Sequence, residues 1–332
     1  MGLGDHGERP QGRFSRRRRM GLLAASTAAA LITLLAPPRE ARALDDVLTL
    51  GGFSMDVSGM IEVRAVAGST TRNWEDRGLG KVRTGADTGG KRRTLLRPEG
   101  TLVLKPKLGF DVTGTVVITA NDQQRTALDI DININEAFLE YKPASSDEWG
   151  VSARGGAFYP PISAENTGFA WTSPYTITSS AINSWVGEEL KTIGAEASIH
   201  RRTEDLDINF GGALYMLNDP TGTLLAWRGW SFNDRETGFF DRLALAPIRA
   251  IRPGGRLDEQ ASMEKPFHEI DENVGFYVAA RADHVDYGRL ALLYYDNLAD
   301  DRDLVKSQWA WRTKFASASY KILLPGEITV IG

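Results

Sequence analysis

Residues 126–141, TALDIDININEAFLEY, alternate: Leu128, Ile130, Ile132 and Ile134 are separated by Asp129, Asp131, Asn133 and Asn135. Successive side chains of a strand point to opposite faces, so this spacing predicts a strand with one apolar and one polar face. Residues 53–65 repeat it, with Phe53, Met55, Val57, Gly59, Ile61, Val63 and Ala65 against Ser54, Asp56, Ser58, Met60, Glu62 and Arg64. Further strands are predicted at 96–108, 110–120, 149–158, 190–201, 206–217, 272–283, 286–297 and 307–322, and a last one from Glu327.

Most of these segments run 10 to 14 residues. Strands of soluble domains have about 5 or 6, whereas a tilted strand crossing a bilayer needs about 9 to 11. The links sort by parity as well. Those at 67–95, 159–189 and 218–271 are long, and the alternate ones have six residues or fewer. Long links on one side and tight turns on the other are the habit of outer-membrane barrels. "LTLLAWRGW" lies inside 218–271 and is read as local structure within one long external loop. The expected fold is therefore all-β, an antiparallel transmembrane β-barrel. Ile130, Ile132 and Ile134 face lipid in it. Asp129, Asp131, Asn133 and Asn135 face a watery lumen, together with Lys105 and Lys107. Aromatic girdles are expected at both strand ends, with Phe53, Phe110, Tyr141, Trp149 and Tyr320 at one and Phe158, Tyr159, Tyr294, Tyr295, Trp309 and Trp311 at the other.

The first 43 residues differ from the rest. A basic block, Arg16–Arg19, precedes the uncharged segment 20–38, and Ala41-Arg42-Ala43 is a small-x-small site. This reads as a secretory signal peptide on a 44–332 porin-like domain, with localisation to the cell outer membrane. Eight of the 39 Lys and Arg and three of the 43 Asp and Glu lie in 1–43. The remainder thus carries 31 basic and 40 acidic residues, net −9, which argues against nucleic acid as a partner. With no cysteine, the chain has no disulfides or thiolate ligands. Beyond residue 43 no apolar run is long enough for a transmembrane helix, so a membrane would be crossed by strands.

The segment after 149–158 reads "GAFYPPISAEN" and then "SAINSWVGEELKTIGAE". It resembles the phosphate-selective porin family of Gram-negative outer membranes, in which a strand ends in glycine-x-phenylalanine and proline, serine and glutamate follow. Gly156, Phe158, Pro160, Ser163 and Glu165 match that pattern, and "WEDRGLGKVRTG" (74–85) and "PFHEIDENVGFYVAA" (266–280) resemble other parts of it. The resemblance implies a sixteen-stranded homotrimeric channel whose third external loop folds into the pore. On that count 10 or 11 strands are present, and the ending "EITVIG" reads as that of a truncated or frameshifted member.

The resemblance makes 159–189 the constriction, with Glu165, Asn166, Glu188 and Glu189 as its candidate residues. This loop has three glutamates and no lysine or arginine, so phosphate selectivity is not expected and weak cation preference is. The nearest basic cluster is Lys91-Arg92-Arg93 in the first long loop. The expected function is passive diffusion of small hydrophilic solutes or ions, with outer-membrane lipid and lipopolysaccharide as surroundings. The alternative is a non-channel surface or adhesion protein anchored by the same barrel. Asp296, Asn297, Asp300, Asp301 and Asp303 raise a calcium site, but the spacing is not that of an EF-hand. No cofactor or enzymatic role is expected: His200, His268 and His284 stand outside any catalytic motif.

Overall fold

The computed structural model describes residues 46–50, 53–86, 89–121, 132–144 and 148–332. The segment 1–43 and the positions Asp129 and Asp131 lie outside them. Among the described residues twelve strands form one antiparallel sheet in chain order. They are β1 (Asp46–Leu50), β2 (Phe53–Ala67), β3 (Thr94–Lys107), β4 (Val112–Asn121), β5 (Ile132–Tyr141) and β6 (Trp149–Phe158). β7 (Thr192–Arg202), β8 (Leu206–Met216), β9 (Gly275–His284), β10 (Gly288–Asp296), β11 (Lys314–Leu324) and β12 (Ile328–Ile331) follow. No helix among these residues is long and apolar enough to cross a membrane. Two segments depart from expectation: Asp46–Leu50 is a strand ahead of the expected first one, so the sheet has twelve strands where 10 or 11 were expected, and the segment 307–322 is shorter. Residues 307–313 are not part of β11; Gln308–Trp309 pairs instead with Leu304–Val305 in a two-residue ladder.

The alternation becomes two faces of opposite chemistry. One carries Ile61 (75% exposed), Val63 (62%), Leu96 (69%), Phe210 (58%), Leu214 (62%) and Leu292 (48%), all open to the surroundings. The other carries ion pairs and hydroxyl pairs matched across neighbouring strands. Lys107 meets Asp56 at 3.0 Å, Arg154 meets Glu196 at 2.8 Å, and Ser152 pairs with Ser198 at 2.8 Å. Register sets Arg154 beside Glu196 and Ser152 beside Ser198, while Lys107, opposite Ser54, reaches Asp56 on the diagonal.

The opening stretch holds one irregularity. Val117 pairs with Glu136 while Ile118 pairs with Ile134, so Asn135 is an extra residue in β5. This bulge reverses the parity of the strand. Asn133 and Asn135 lie on the polar face before it, and Glu136 lies there after it. Ile132 is half exposed on the apolar face, as expected. The watery setting expected for Asn133 and Asn135 is corrected, because both are fully buried. Asn135 donates to Glu236 at 2.9 Å, and the Phe240 N–H donates to Asn133 Oδ1 at 3.2 Å. A long loop covers them.

That covering is general. Links 68–93, 159–191, 217–274 and 297–313 leave the same end of the sheet, and the first three fold back over its polar face. Short helices α1 (Ala181–Glu189) and α2 (Thr223–Arg228) sit inside them. Ser180 caps α1 by accepting from the Asn183 N–H. Two apolar cores result. Phe158, Tyr159, Trp185, Val186 and Leu190 pack on Tyr215, Tyr277 and Tyr295 of β8–β10. Trp74, Leu224, Trp227, Leu243 and Leu245 join the loops to each other.

The aromatic pattern is therefore split. Phe110, Tyr141, Trp149 and Tyr320 are exposed near the short turns, joined by Tyr287. At the long-loop end only Tyr294 keeps an exposed outward position. Phe158, Tyr159 and Tyr295 belong to the inner core, and Trp309 and Trp311 precede β11.

Gly156, within the matched motif, has φ +130°, and an added Cβ would lie 2.3 Å from the Ala137 carbonyl oxygen. Gly156→Ala is expected to cost about 1–3 kcal/mol in backbone strain and steric clash. A lowered denaturation midpoint of refolded protein, with the strand content kept, is the result that checks it.

Candidate functional site

Where loop 159–191 approaches β2 and β3 it leaves a cavity of about 400 Å³. Met60, Glu62 and Arg64 come from β2, and Glu99 and Thr101 from β3. Asn166, Trp171 and Tyr175 come from the loop, and Asp234–Glu236 from loop 217–274. Alternation on β2 and β3 aims these strand residues at the cavity while Ile61 and Val63 point the other way. The loop reaches across the polar face: Lys321 of β11 lies 5.2 Å from the Tyr175 ring, and Trp185 packs edge-on against Phe315 at 5.5 Å.

A buried set of arginines and carboxylates holds the loops in place. Arg83 meets Glu75 and Asp234, each at 3.1 Å. Arg97 of β3 meets Glu75 at 3.1 Å, and Arg235 bridges Glu75 (2.9 Å) and Asp241 (3.1 Å). Burial alone would raise the Glu75 carboxyl, but Arg83, Arg235 and Arg97 outweigh it and bring Glu75 to about 2. It is an anion under all ordinary conditions. Arg228 pairs with Glu188 and lies over the Trp74 ring at 4.3 Å.

The candidate residues separate accordingly. Asn166 lines the cavity, donating to the Trp171 carbonyl at 2.8 Å and to Ser179 Oγ at 3.1 Å. Glu165 accepts from the Ser180 N–H at 2.6 Å and braces the start of α1. Glu188 and Glu189 are corrected as lining residues, since both are 0% exposed at the C-terminus of α1. Glu189 accepts from Trp185 Nε1 and from the Leu224 N–H, each at 2.8 Å. Burial pushes its carboxyl up, to about 7.

Lys105 and Lys107 stand exposed on the polar face near the short turns, away from this cavity. Lys91 and Arg92 are exposed in loop 68–93, and Arg93 is tied to Asp76 and the Gly85 carbonyl. The acids of 296–303 do not converge on a cation site. Asp296 is taken by Arg312 at 3.0 Å and Asp300 by Arg302 at 2.6 Å. A different trio, Asp219, Glu269 and Asp271, brings its oxygens within 4.8 Å of one another.

Lys191 is a buried cation beside the site that periodicity does not mark. It is fully buried, with Nζ 4.8, 5.0 and 4.9 Å from the rings of Tyr159, Phe239 and Phe267, and donates to the Thr237 carbonyl at 2.7 Å. Burial lowers it to about 8, against the pull of Glu136, Glu236 and Asp241. It pins loop 217–274 to the root of β7. Its only signal in the sequence is its place beside the charged pair Glu188-Glu189. The three histidines stay apart: His200 on β7 opposite Gly150, His284 accepting from the Asp286 N–H at 3.1 Å, and His268 in loop 217–274.

A scan against protein-family models and a comparison with curated proteins gave no match to this chain.

Proposed function

We propose that this chain forms a porin-type β-barrel in a bacterial outer membrane and lets small hydrophilic solutes and ions diffuse passively past loop 159–191. The single observation that carries the reading is the inverted sheet. Its apolar face is the open one, from Ile61 on β2 to Leu292 on β10, and its charged face is the covered one. A soluble antiparallel sheet packs its apolar face inward, and exposed apolar surface of this extent marks contact with lipid or a partner. The parity of the links and the aromatic residues near the short turns support the same reading. Export through a cleaved signal peptide, a seat among lipid and lipopolysaccharide, closure of the sheet, and trimeric assembly belong to the proposal.

The charge of the passage sets its preference. Four carboxylates (Glu62, Glu99, Asp234, Glu236) and two guanidiniums (Arg64, Arg235) face the cavity. A net negative lining attracts cations, and salt screens the effect. In planar bilayers under a potassium chloride gradient at pH 9, where Glu236 is ionised, the reversal potential is expected to show cation preference that Glu99→Gln with Glu236→Gln removes. Strong anion preference blocked by micromolar phosphate would overturn the charge argument. Absence of conductance from inserted protein would favour the anchor reading, which the dense packing of the loops over the polar face supports.

A further inference from the structure

We propose that the cavity between β2, β3 and loop 159–191 is a binding site for small organic cations, solutes that carry an ammonium or guanidinium group on a short apolar body. Access to the site rests on the channel reading; recognition is a property of the cavity itself.

Charge matching inside the cavity leaves acceptors over. Arg64 is held by Glu62 and Asp234, and Arg235 by Glu75 and Asp241, so neither guanidinium is open to an anion. Glu99 meets a cation only at 3.8 Å, the distance to an Arg83 already bound at 3.1 Å by Glu75 and Asp234. Glu236 is bound by the Asn135 amide and not by a cation. Glu99 thus faces the cavity without a close ion-pair partner, and Glu236 has only the field of Lys191, which forms no ion pair with it.

A second observation comes from a different element. Asn183, on α1, is 8% exposed and lies on the cavity wall, and its Oδ1 has no donor. Its amide Nδ2 is already directed to Ser180 Oγ at 3.2 Å. A buried carbonyl oxygen without a donor is costly, and a ligand N–H relieves that cost. Donors are what an ammonium or a guanidinium brings, and they are all it brings.

The rest of the wall fits the body of such a solute. Met60 and Ile177 are apolar, and Trp171 adds an aromatic ring. Trp171 is firmly set: it stacks on Tyr159 at 4.2 Å, its carbonyl is held by Asn166, and its edge rests against the position of Gly187. Ala170 and Trp171 both keep positive φ, 48° and 66°, a conformation that non-glycine residues hold only where the surroundings enforce it. An aromatic face beside unmatched carboxylates is a recurring solution for organic cations.

Protons compete with such a ligand. Burial, and then Glu99, push the Glu236 carboxyl up to about 8. The titratable groups that act on it are Glu99 on β3, Glu136 on β5, and Tyr159 and Lys191 of loop 159–191; Arg64, Asp234 and Arg235 line the same cavity, and Asp241 acts on Lys191 and Tyr159. Deprotonation of Glu236, or of Lys191, makes the site more negative, so cation affinity rises as pH rises through about 8.

The test is calorimetric titration of the full chain, folded in detergent, with 1,5-diaminopentane, with glutarate as the matched dianion and with 1,5-pentanediol as the uncharged body. The diamine is expected to bind, more tightly at pH 9 than at pH 6.5 and more weakly at high salt, and the other two are not. Glu99→Gln with Glu236→Gln should weaken it at least tenfold and flatten the pH dependence, whereas Glu259→Gln, on an exposed loop outside the cavity, should change nothing. Trp171→Leu should weaken it several-fold and serves if the double variant does not refold. No diamine binding by folded protein, equal binding of glutarate, or full binding by either variant overturns the proposal. Conductance without diamine binding sinks the site and leaves the channel; diamine binding without conductance does the reverse.

Discussion

Phe210→Arg is expected to cut the fraction of protein that assembles in lipid vesicles by roughly 30- to 1000-fold. Phe210 lies midway along β8, more than half exposed, with Ile199 of β7 and Ala280 of β9 as its register partners on the same face. If that face meets hydrocarbon, an arginine near its midplane costs about 2–4 kcal/mol, and each 1.4 kcal/mol is about a factor of ten. Ser319→Arg places the same charge on the opposite face of β11, and there the expected change is small. Heat-modifiable gel mobility separates the two, because a folded barrel in detergent migrates apart from its boiled form. Equal losses for both variants would mean that neither face meets lipid, and the sheet would then be the wall of a soluble assembly.

The comparison turns on parity, which is also the feature the sequence carried best. Period-two alternation placed β2 and β6–β8 within two residues of their ends, since an apolar face and a polar face leave no other register open. It placed the faces correctly too, at Ile132 against Asn133. What alternation cannot carry is the occupant of the polar side. Asn133 and Asn135 look like residues for water, yet Phe240 and Glu236, a hundred positions away, reach them. A buried polar residue and a wetted one read alike in a strand, because each needs hydrogen-bond partners and the sequence does not say whose. The extra residue at Asn135 was hidden for a related reason: "NINEA" keeps polar character on both sides of the bulge, so no apolar side chain marks the slip.

Loop 159–191 shows the limit more sharply. The composition of 159–189, three glutamates without a basic residue, reads as an acidic lining. Glu165 and Glu189 are answered by N–H donors, and the cation that answers Glu188 comes from elsewhere. Arg228 lies forty residues on, in α2, and neutralises Glu188. Charge counted along a segment is therefore not charge presented to a passage. The cavity has a negative balance through other residues, Glu99 on β3 and Glu236 in loop 217–274, which no local pattern singles out.

The Arg228–Glu188 pair yields the second large effect. Arg228→Ala is expected to release loop 217–274 from α1 at a cost of about 3–5 kcal/mol, the penalty for leaving a buried carboxylate without its partner. Glu188 is fully buried, and its remaining bond is the Asn233 amide at 2.8 Å. Glu189 and Glu264, also fully buried, stand nearby, and Glu189 pushes the Glu264 carboxyl up on top of the effect of burial. Removing the guanidinium bonded to Glu188 thus leaves carboxyl groups facing each other, with Arg235, already bound by Glu75 and Asp241, acting on Glu188 only from a distance. The loop opens, and trypsin cuts at Arg242, Arg249 or Arg252 in otherwise folded protein at a rate that tracks the open population. Arg228→Lys should rescue only in part, because an ammonium cannot span Glu188 and Ser231 as the guanidinium fork does. Arg228→Met with Glu188→Leu should restore protection, since a packed apolar pair of similar volume costs little where an unpaired charge costs much. If Arg228→Ala resists trypsin as the parent does, the ion pair does not hold the loop, and its seat over the polar face must depend on the aromatic packing around Lys191 instead.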